Sequence, residues 1–231
     1  MASIFDNTWI LRKIDSDFTE NLPKQRKKVL DVASDKKPEF LPLMAKRYPE
    51  TEFTHLRAEN WRVRDVEKIC QRYKNIHVAY SKDNLPRDYE LAVCFLTLHE
   101  INSLDNLISE NGSGQVEVKS PLEPLIKINS LLKNSGKLVI IDYDLKWFNQ
   151  EEITDKEAFF DRNIFTAKNE KEVLKIEENC IENHTAWGLD DYIAMADEAG
   201  FKKNFSKHYT INLPIIGQKP KMFLYIGEKK E

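Results

Sequence analysis

The sequence predicts an α/β protein with a doubly wound, mostly parallel sheet, helices on both faces and a C-terminal antiparallel β-hairpin. Between residues 27 and 143, short apolar runs alternate with segments of helical spacing. That alternation favours right-handed crossovers between parallel strands. Two of the runs, Leu91–Leu98 and Lys137–Tyr143, are continuous rather than alternating, as strands buried on both faces of a sheet require.

Each element has its own signal. Residues 1–26 are amphipathic and charged, and predict a helical lead-in packed on the outside of a domain that covers residues 27–231. The strands are predicted at the apolar runs Val29–Val32, Phe53–Leu56, Ile76–Tyr80, Leu91–Leu98 and Lys137–Tyr143. Helices between them are indicated by apolar stripes at Phe40, Met44 and Tyr48, and at Val66, Ile69, Cys70 and Tyr73.

The strongest helix signal covers residues 120–136. Ser120 and Glu123 have the spacing of a capping box, and Pro121 stands at the first helical position. The apolar stripe runs on to Leu132, and Gly136 is predicted to end the helix.

Residues 144–185 break the alternation with a charged segment that we interpret as a helical insertion or cap. A further helix is predicted to start at Asp190 or Asp191 and to end at Gly200. The runs 204–213 and 221–229 flank a turn-rich stretch, and predict an antiparallel hairpin at the edge of the sheet.

Composition bounds the class of protein. The 231 residues carry a net charge of −3, with 41% apolar and 32% charged residues, which argues against a protein built mainly to coat nucleic acid. Cys70, Cys94 and Cys180 form no C-x-x-C pair and predict reduced thiols. No signal-peptide layout and no apolar run of roughly 20 residues is present, so we expect a cytoplasmic protein with no membrane partner.

Three stretches resemble the class I S-adenosylmethionine-dependent methyltransferases. They are VLDVASDKKPEFLPLMAKRYP at 29–49, DNLPRDYELAVCFLTLHEI at 83–101 and PLEPLIKINSLLKNSGKLVIIDYDL at 121–145. The resemblance covers residues 27–145 well and 186–228 loosely. It implies a Rossmann-like fold, S-adenosylmethionine as the cofactor and methyl transfer as the activity.

The cofactor loop departs from the family pattern. After Asp31, the three positions that hold glycine in the family hold Ala33, Asp35 and Lys37, and the first glycine of the chain is Gly112. Glycine lets the backbone approach a ligand closely. Asp35 and Lys37 therefore put side chains where the resemblance places the donor.

Other donor positions depart as well. The family's ribose-binding carboxylate falls on Arg57, or on Glu59 if the register shifts by two, and a guanidinium has no acceptor. The adenine position falls on Ser81, with Asp83 as a possible substitute. The cofactor-binding positions implied by the resemblance are Asp31, Ala33, Asp35, Lys37, Arg57, Ser81, Asp83 and Leu96.

On the acceptor side, His99 and Glu100 follow strand four and could serve as a base and its orienting group. A structural role for His99, as a helix cap or a cleft residue, fits the sequence as well. Asp142, Tyr143 and Asp144 follow strand five, where open α/β sheets bind ligands, and are predicted to lie on the substrate side. No metal site is predicted, because Ser103 breaks the H-E-x-x-H motif.

The residues favour a non-catalytic pseudo-methyltransferase that serves as a binding or regulatory subunit, with a protein partner or as a homo-oligomer. The alternative is an active methyltransferase with a divergent donor pocket, acting on a small-molecule or macromolecular acceptor. S-adenosylmethionine is the expected cofactor in the active case, and none in the other. A third hypothesis is an anionic nucleotide held by Lys36, Lys37 and Arg57.

Overall fold

The structure is a computed structural model. It describes residues 8–21, 27–32, 40–57, 68, 70–80, 85–95, 98, 121–144, 187–210 and 221–231. The helices in chain order are α1 Thr8–Asn21, α2 Phe40–Arg47, α3 Leu122–Leu131 and α4 Leu189–Glu198. The strands are β1 Lys28–Val32, β2 Glu52–Arg57, β3 Ile76–Tyr80, β4 Tyr89–Phe95, β5 Leu132–Tyr143, β6 Phe201–Thr210 and β7 Lys221–Lys229.

The seven strands form one sheet in the order β3-β2-β1-β4-β5-β7-β6. The pairs from β3 to β5 are parallel, while β7 is antiparallel to both β5 and β6. This confirms the predicted doubly wound sheet and its C-terminal hairpin. The final strand β7 lies inside the sheet, so that β6 rather than β7 is the edge strand.

Two apolar layers cover the two faces of the sheet. The first layer joins α1 and α2 to one face, with Ile14, Phe18 and Phe40 buried. The rings of Phe40 and Phe95 stack with centroids 4.5 Å apart. The second layer joins α3 and α4 to the opposite face, through residues such as Leu125 and Tyr192. Helices therefore lie on both faces, as the sequence predicts.

The end of α3 differs from the prediction. The helix stops at Leu131, and Leu132 is the extended first residue of β5, paired with Tyr89 of β4. Ser135 has a φ of 60°, and a Cβ added to Gly136 would lie 2.8 Å from the Lys133 carbonyl oxygen. Gly136 therefore serves a tight turn inside β5 rather than a helix terminus. Ser120, the predicted cap, lies outside the described residues, and no side chain caps the helix at Pro121.

The start of α4 is also corrected. Gly188 is the N-cap, and Asp190 and Asp191 lie in the first turn, where the Asp191 carboxylate accepts the Gly188 N–H at 2.8 Å. Gly200 ends the helix with a φ of 90°, as predicted. Among the described residues, no helix is long and apolar enough to cross a bilayer. Residues 145–185 of the predicted insertion lie outside the described part of the chain.

Candidate functional site

The candidate site lies at the carboxyl edge of the parallel strands. Strand β1 pairs with β2 on one side and β4 on the other, so the order of the strands reverses between β1 and β4. Open α/β sheets bind ligands in the crevice outside such a reversal. The described side chains at this edge form two groups, one at β1 and β2 and one around β5.

The first group is the β1–β2 pair, Asp31 and His55. The two residues are register partners on adjacent strands, and both are 1% exposed. Asp31 Oδ2 lies 2.5 Å from His55 Nδ1. A buried carboxylate is costly unless it is paired and hydrogen-bonded, so His55 gives Asp31 a partner that turn donors alone would not supply. The sequence analysis found Asp31 but not His55.

Strand β2 ends at Arg57, whose backbone pairs with Tyr80 at the end of β3. The register Val32 to Leu56 places Arg57 one position past the last paired residue of β1. Arg57 is thus the final strand residue, and its match to the family's ribose-binding position stays a prediction. Glu59, the alternative position, lies outside the described residues.

Most of the other predicted site residues also lie outside the described part of the chain. They are Ala33, Asp35, Lys36, Lys37, Ser81, Asp83, Leu96, His99 and Glu100. Their roles stay predictions.

The second group, which we call the edge cluster, consists of Asp142, Asp144, Tyr192 and His208. It is built on a row across three strands, because Asp142 and His208 are both register partners of Phe223 in β7. Register partners project from the same face of a sheet. The row therefore places a carboxylate and an imidazole on either side of a buried phenyl ring.

An acid–histidine contact is the central feature of the edge cluster. His208 Nε2 lies 2.6 Å from Asp144 Oδ2. The side chain of His208 is 44% exposed and that of Asp144 only 11%, while the Asp144 N–H donates to the Lys221 carbonyl at 3.0 Å. A neutral imidazole that donates its Nε2–H to the carboxylate keeps a lone pair on Nδ1. Among the described residues, no hydrogen-bond partner occupies that Nδ1.

Tyr192 packs over the middle of the row. Its ring centroid lies 5.2 Å from that of Phe223, and its side chain is 1% exposed. Burial raises the pKa of Tyr192 well above its ordinary value, and the charges of Asp142 and Asp144 raise it further. The hydroxyl therefore stays a hydrogen-bond donor. Neither Tyr192 Oη nor Trp187 Nε1 has a hydrogen-bond partner among the described residues, although both atoms are buried.

The three consecutive residues predicted on the substrate side do not act together. Asp142 accepts the Tyr143 N–H at 2.9 Å and is fully buried. Tyr143 packs into the apolar layer of α1 and α2 on the opposite face. Only Asp142 and Asp144 belong to the edge cluster.

Cys94 lies in β4 between the two groups. Burial raises the pKa of its thiol well above the ordinary value, and the nearby charges of Asp31 and Asp142 add to the effect. It behaves as the small buried hydrophobe that the sequence predicts. No three His, Cys, Asp or Glu side chains among the described residues are arranged to hold a metal ion.

The sequence matches no protein-family model and no curated protein. Solved structures do match. A SAM-dependent methyltransferase from Methanosarcina mazei has a TM-score of 0.59 at 12% identity, over 92% of this chain and 97% of that chain. A chain of the complex between the Haloferax volcanii Trm112 methyltransferase activator and a protein assigned as a methyltransferase has a TM-score of 0.59 at 11% identity, over 98% and 94%.

The chain has the class I methyltransferase fold. Another match is the 1,6-didemethyltoxoflavin-N1-methyltransferase of Burkholderia thailandensis, solved with 1,6-didemethyltoxoflavin and S-adenosylhomocysteine. It has a TM-score of 0.55 at 11% identity, over 100% of this chain and 79% of that chain. At such identities the likeness concerns the fold of the methyltransferases, and the chemistry has to be argued from the residues of this chain.

The methyltransferase pattern puts the donor at the ends of the first three strands and the acceptor beyond strands four and five. On this chain, the β1–β2 pair and Arg57 lie on the predicted donor side. The edge cluster lies on the predicted acceptor side. His208 and Tyr192 were not found from the sequence, because each belongs to a pattern that marks it only as a strand or helix residue.

Proposed function

We propose that the chain is an S-adenosylmethionine-dependent methyltransferase with a divergent donor pocket. The observation that carries the proposal is the contact of His208 Nε2 with Asp144 Oδ2 at 2.6 Å, at the end of β5. An imidazole oriented by a carboxylate can accept a proton from an acceptor group.

The charges of the described edge also favour a cationic donor. Asp31 and Asp142 are buried acidic residues on β1 and β5, the two strands that flank β4. Carboxylates stabilise a nearby sulfonium, especially where water is scarce. Methyl transfer then needs mainly a donor and an acceptor held in line, which is what a crevice at this edge supplies.

The test is calorimetric titration of the protein with S-adenosylmethionine and, separately, with S-adenosylhomocysteine. We expect saturable binding of both at one site per chain. Absence of heat together with absence of a thermal shift for both compounds would contradict the proposal. Asp88→Asn is a suitable control variant, because Asp88 pairs with Lys28 at the amino end of β1, away from the crevice.

A second candidate function is the non-catalytic binding or regulatory subunit. The observation that favours it is the end of β2 at Arg57, where the family pattern calls for a carboxylate and a cation would repel the donor. This candidate predicts that the natural chain does not bind S-adenosylmethionine and that Arg57→Glu gains binding. The active candidate predicts binding by the natural chain that Arg57→Glu alters by less than about tenfold, a difference of about 1.4 kcal/mol.

A further inference from the structure

We propose that His208 is the catalytic base of the transfer and that the methyl acceptor is a phenol-type hydroxyl compound bound at the edge cluster. The inference rests on the proposed function and deepens it, by assigning a residue and a substrate class to the acceptor side. Asp144 acts as the positioning residue that holds the His208 ring.

The geometry leaves one nitrogen of His208 for a ligand. Nε2 faces Asp144 Oδ2 at 2.6 Å, and Nδ1 has no partner among the described residues. The side chain is 44% exposed, so an incoming molecule can contact the ring. Asp144 is nearly buried, and its backbone N–H is held by the Lys221 carbonyl. The carboxylate is therefore fixed, and the ring it holds is oriented.

Among the described residues, the charged groups on the face of His208 are of both signs, since Lys221 lies two positions before Phe223 on β7 and so shares its face. Asp142 and Asp144 are acidic, and Tyr192 stays neutral because its pKa is raised. The neighbouring Lys207 contacts Asp17 of α1 at 2.7 Å, and so belongs to the opposite face. The His208 ring accepts a proton among carboxylates, which stabilise the imidazolium that forms.

The pairing of His208 with Asp144 favours one chemical type of methyl acceptor. A neutral amine attacks a sulfonium with its own lone pair and can lose its proton to water afterwards. A hydroxyl is a weak nucleophile until its proton is accepted during the attack, so an oriented base has most effect on an O–H acceptor. Tyr192 Oη is a buried donor without a described partner on a ring that packs against Phe223 of the same row, and it can serve a second, hydrogen-bond-accepting oxygen of the molecule.

The proposed reaction is a direct methyl transfer to the acceptor oxygen. The acceptor oxygen forms a bond to the methyl carbon while the bond from that carbon to sulfur breaks. The bonding pair stays on sulfur and gives the neutral thioether S-adenosylhomocysteine. The hydroxyl proton moves to Nδ1 of His208, and the imidazolium charge is compensated by the Asp144 carboxylate.

The experiment uses 4-nitrophenol, whose ionised form has a visible absorption band. The probe is titrated with protein in the absence of any donor, at a pH slightly below its own pKa. We expect the bound probe to be more ionised than the free probe, because its proton passes to His208. In His208→Gln the excess ionisation is expected to disappear. In Asp144→Asn the ionisation constant of the bound probe should be about tenfold smaller than in the natural chain, which corresponds to a change of about one pKa unit.

Lys207→Gln is the matched control, one residue away but on the other face, and should leave the probe's ionisation unchanged. Equal ionisation in the natural chain and His208→Gln, or no binding of the probe at all, would overturn the inference. Urea unfolding midpoints of all variants verify that they are folded. Because no donor is present, this result is independent of the calorimetry with S-adenosylmethionine. If the donor titration failed while the probe result was positive, the transferase function would be contradicted but the acceptor site would still be supported.

Discussion

At the scale of single residues, the Asp31–His55 pair determines how well the ends of β1 and β2 tolerate substitution. Both side chains are 1% exposed, with 2.5 Å between the facing atoms. Pairs of this kind add little net stability compared with apolar residues of similar volume, but removal of one partner leaves the other uncompensated. The effects of substitutions at Asp31 and at His55 on the stability of the protein are therefore coupled.

His55→Leu is expected to destabilise the fold by about 3 kcal/mol, because it removes the imidazole that contacts the buried Asp31 carboxylate. The double variant Asp31→Leu with His55→Leu should be more stable than His55→Leu alone. Urea unfolding midpoints measure both. A double variant at least as unstable as the single one would refute the coupling, and Asp88→Asn, at the exposed end of β1, should change nothing measurable.

Tyr192 offers a second residue-scale prediction. A buried hydroxyl without a partner costs roughly 1 kcal/mol or more, so Tyr192→Phe should stabilise the unliganded protein by about that amount while weakening binding of 4-nitrophenol. Tyr225 also has a buried hydroxyl without a described partner, farther along the same sheet face. Tyr225→Phe should raise the thermal midpoint similarly but leave the probe's affinity unaltered.

At the scale of elements, two turns in the described part of the chain carry left-handed backbone and differ in the residue that occupies it. Gly200 ends α4 with a φ of 90°, and its carbonyl accepts the Lys230 N–H at 2.8 Å and the Asn129 amide at 3.2 Å. Ser135 holds a φ of 60° in the turn that opens β5. Glycine adopts such angles without strain, whereas a residue with a Cβ pays for them.

Substitutions in the two turns are expected to change the free energy of unfolding in opposite directions. Gly200→Ala is expected to lower the free energy of unfolding by about 1–2 kcal/mol, through strain and because the new Cβ would lie 3.1 Å from Asn129 Nδ2. Ser135→Gly should raise it by about 0.5 kcal/mol, since the gain in backbone freedom of the unfolded chain offsets part of the relieved strain. Thermal unfolding of both variants checks the signs, and two changes of the same sign would disagree with this assignment.

The strands also show which parts of the structure could be predicted from the sequence. Leu91 to Phe95 and Leu138 to Ile141 were identifiable as strands because burial on both faces demands an unbroken apolar run. Leu132 was not, because one leucine suits a helical stripe and a strand equally. The partners of the site were harder still: His55 lies 24 residues from Asp31, and His208 lies 64 residues from Asp144. Only the strand order brings them together, and a local pattern does not encode it.

At the scale of the whole molecule, α1 is attached to the far edge of the sheet. Ile14 and Phe18 are buried in the first apolar layer. Asp17 accepts hydrogen bonds from Lys207 Nζ at 2.7 Å and Tyr209 Oη at 2.6 Å, both on β6. These bonds lower the pKa of Asp17, with the Lys207 contact as the largest cause. A helix near the start of the sequence thus depends on a strand near its other end.

A pH dependence follows from the lowered pKa. A carboxyl whose folded pKa is depressed contributes its full stability above its unfolded pKa, here the ordinary value of 3.8, and loses it as the pH falls through the folded pKa. The difference in urea midpoint between the natural chain and Asp17→Asn should be constant at neutral pH and shrink on acidification below about pH 4. Asp197→Asn, at an exposed pair with Lys230, serves as the control. A difference that persists unchanged to strongly acidic pH would contradict the role given to Asp17.

The position of β7 has a consequence for biosynthesis. Chains emerge from the ribosome N-terminus first, yet β7 follows β6 in the sequence and must enter the gap between β5 and β6. Until residues 221–229 have been translated, β5 has no neighbour on that side, and His208 has no row to join Asp142 across Phe223. A nascent chain can therefore assemble the strands from β3 to β5 early, while the row of Asp142, Phe223 and His208 stays incomplete until β7 is in place. A ribosome stalled within residues 221–229 would hold a chain in which Asp142 and His208 are not yet joined across β7.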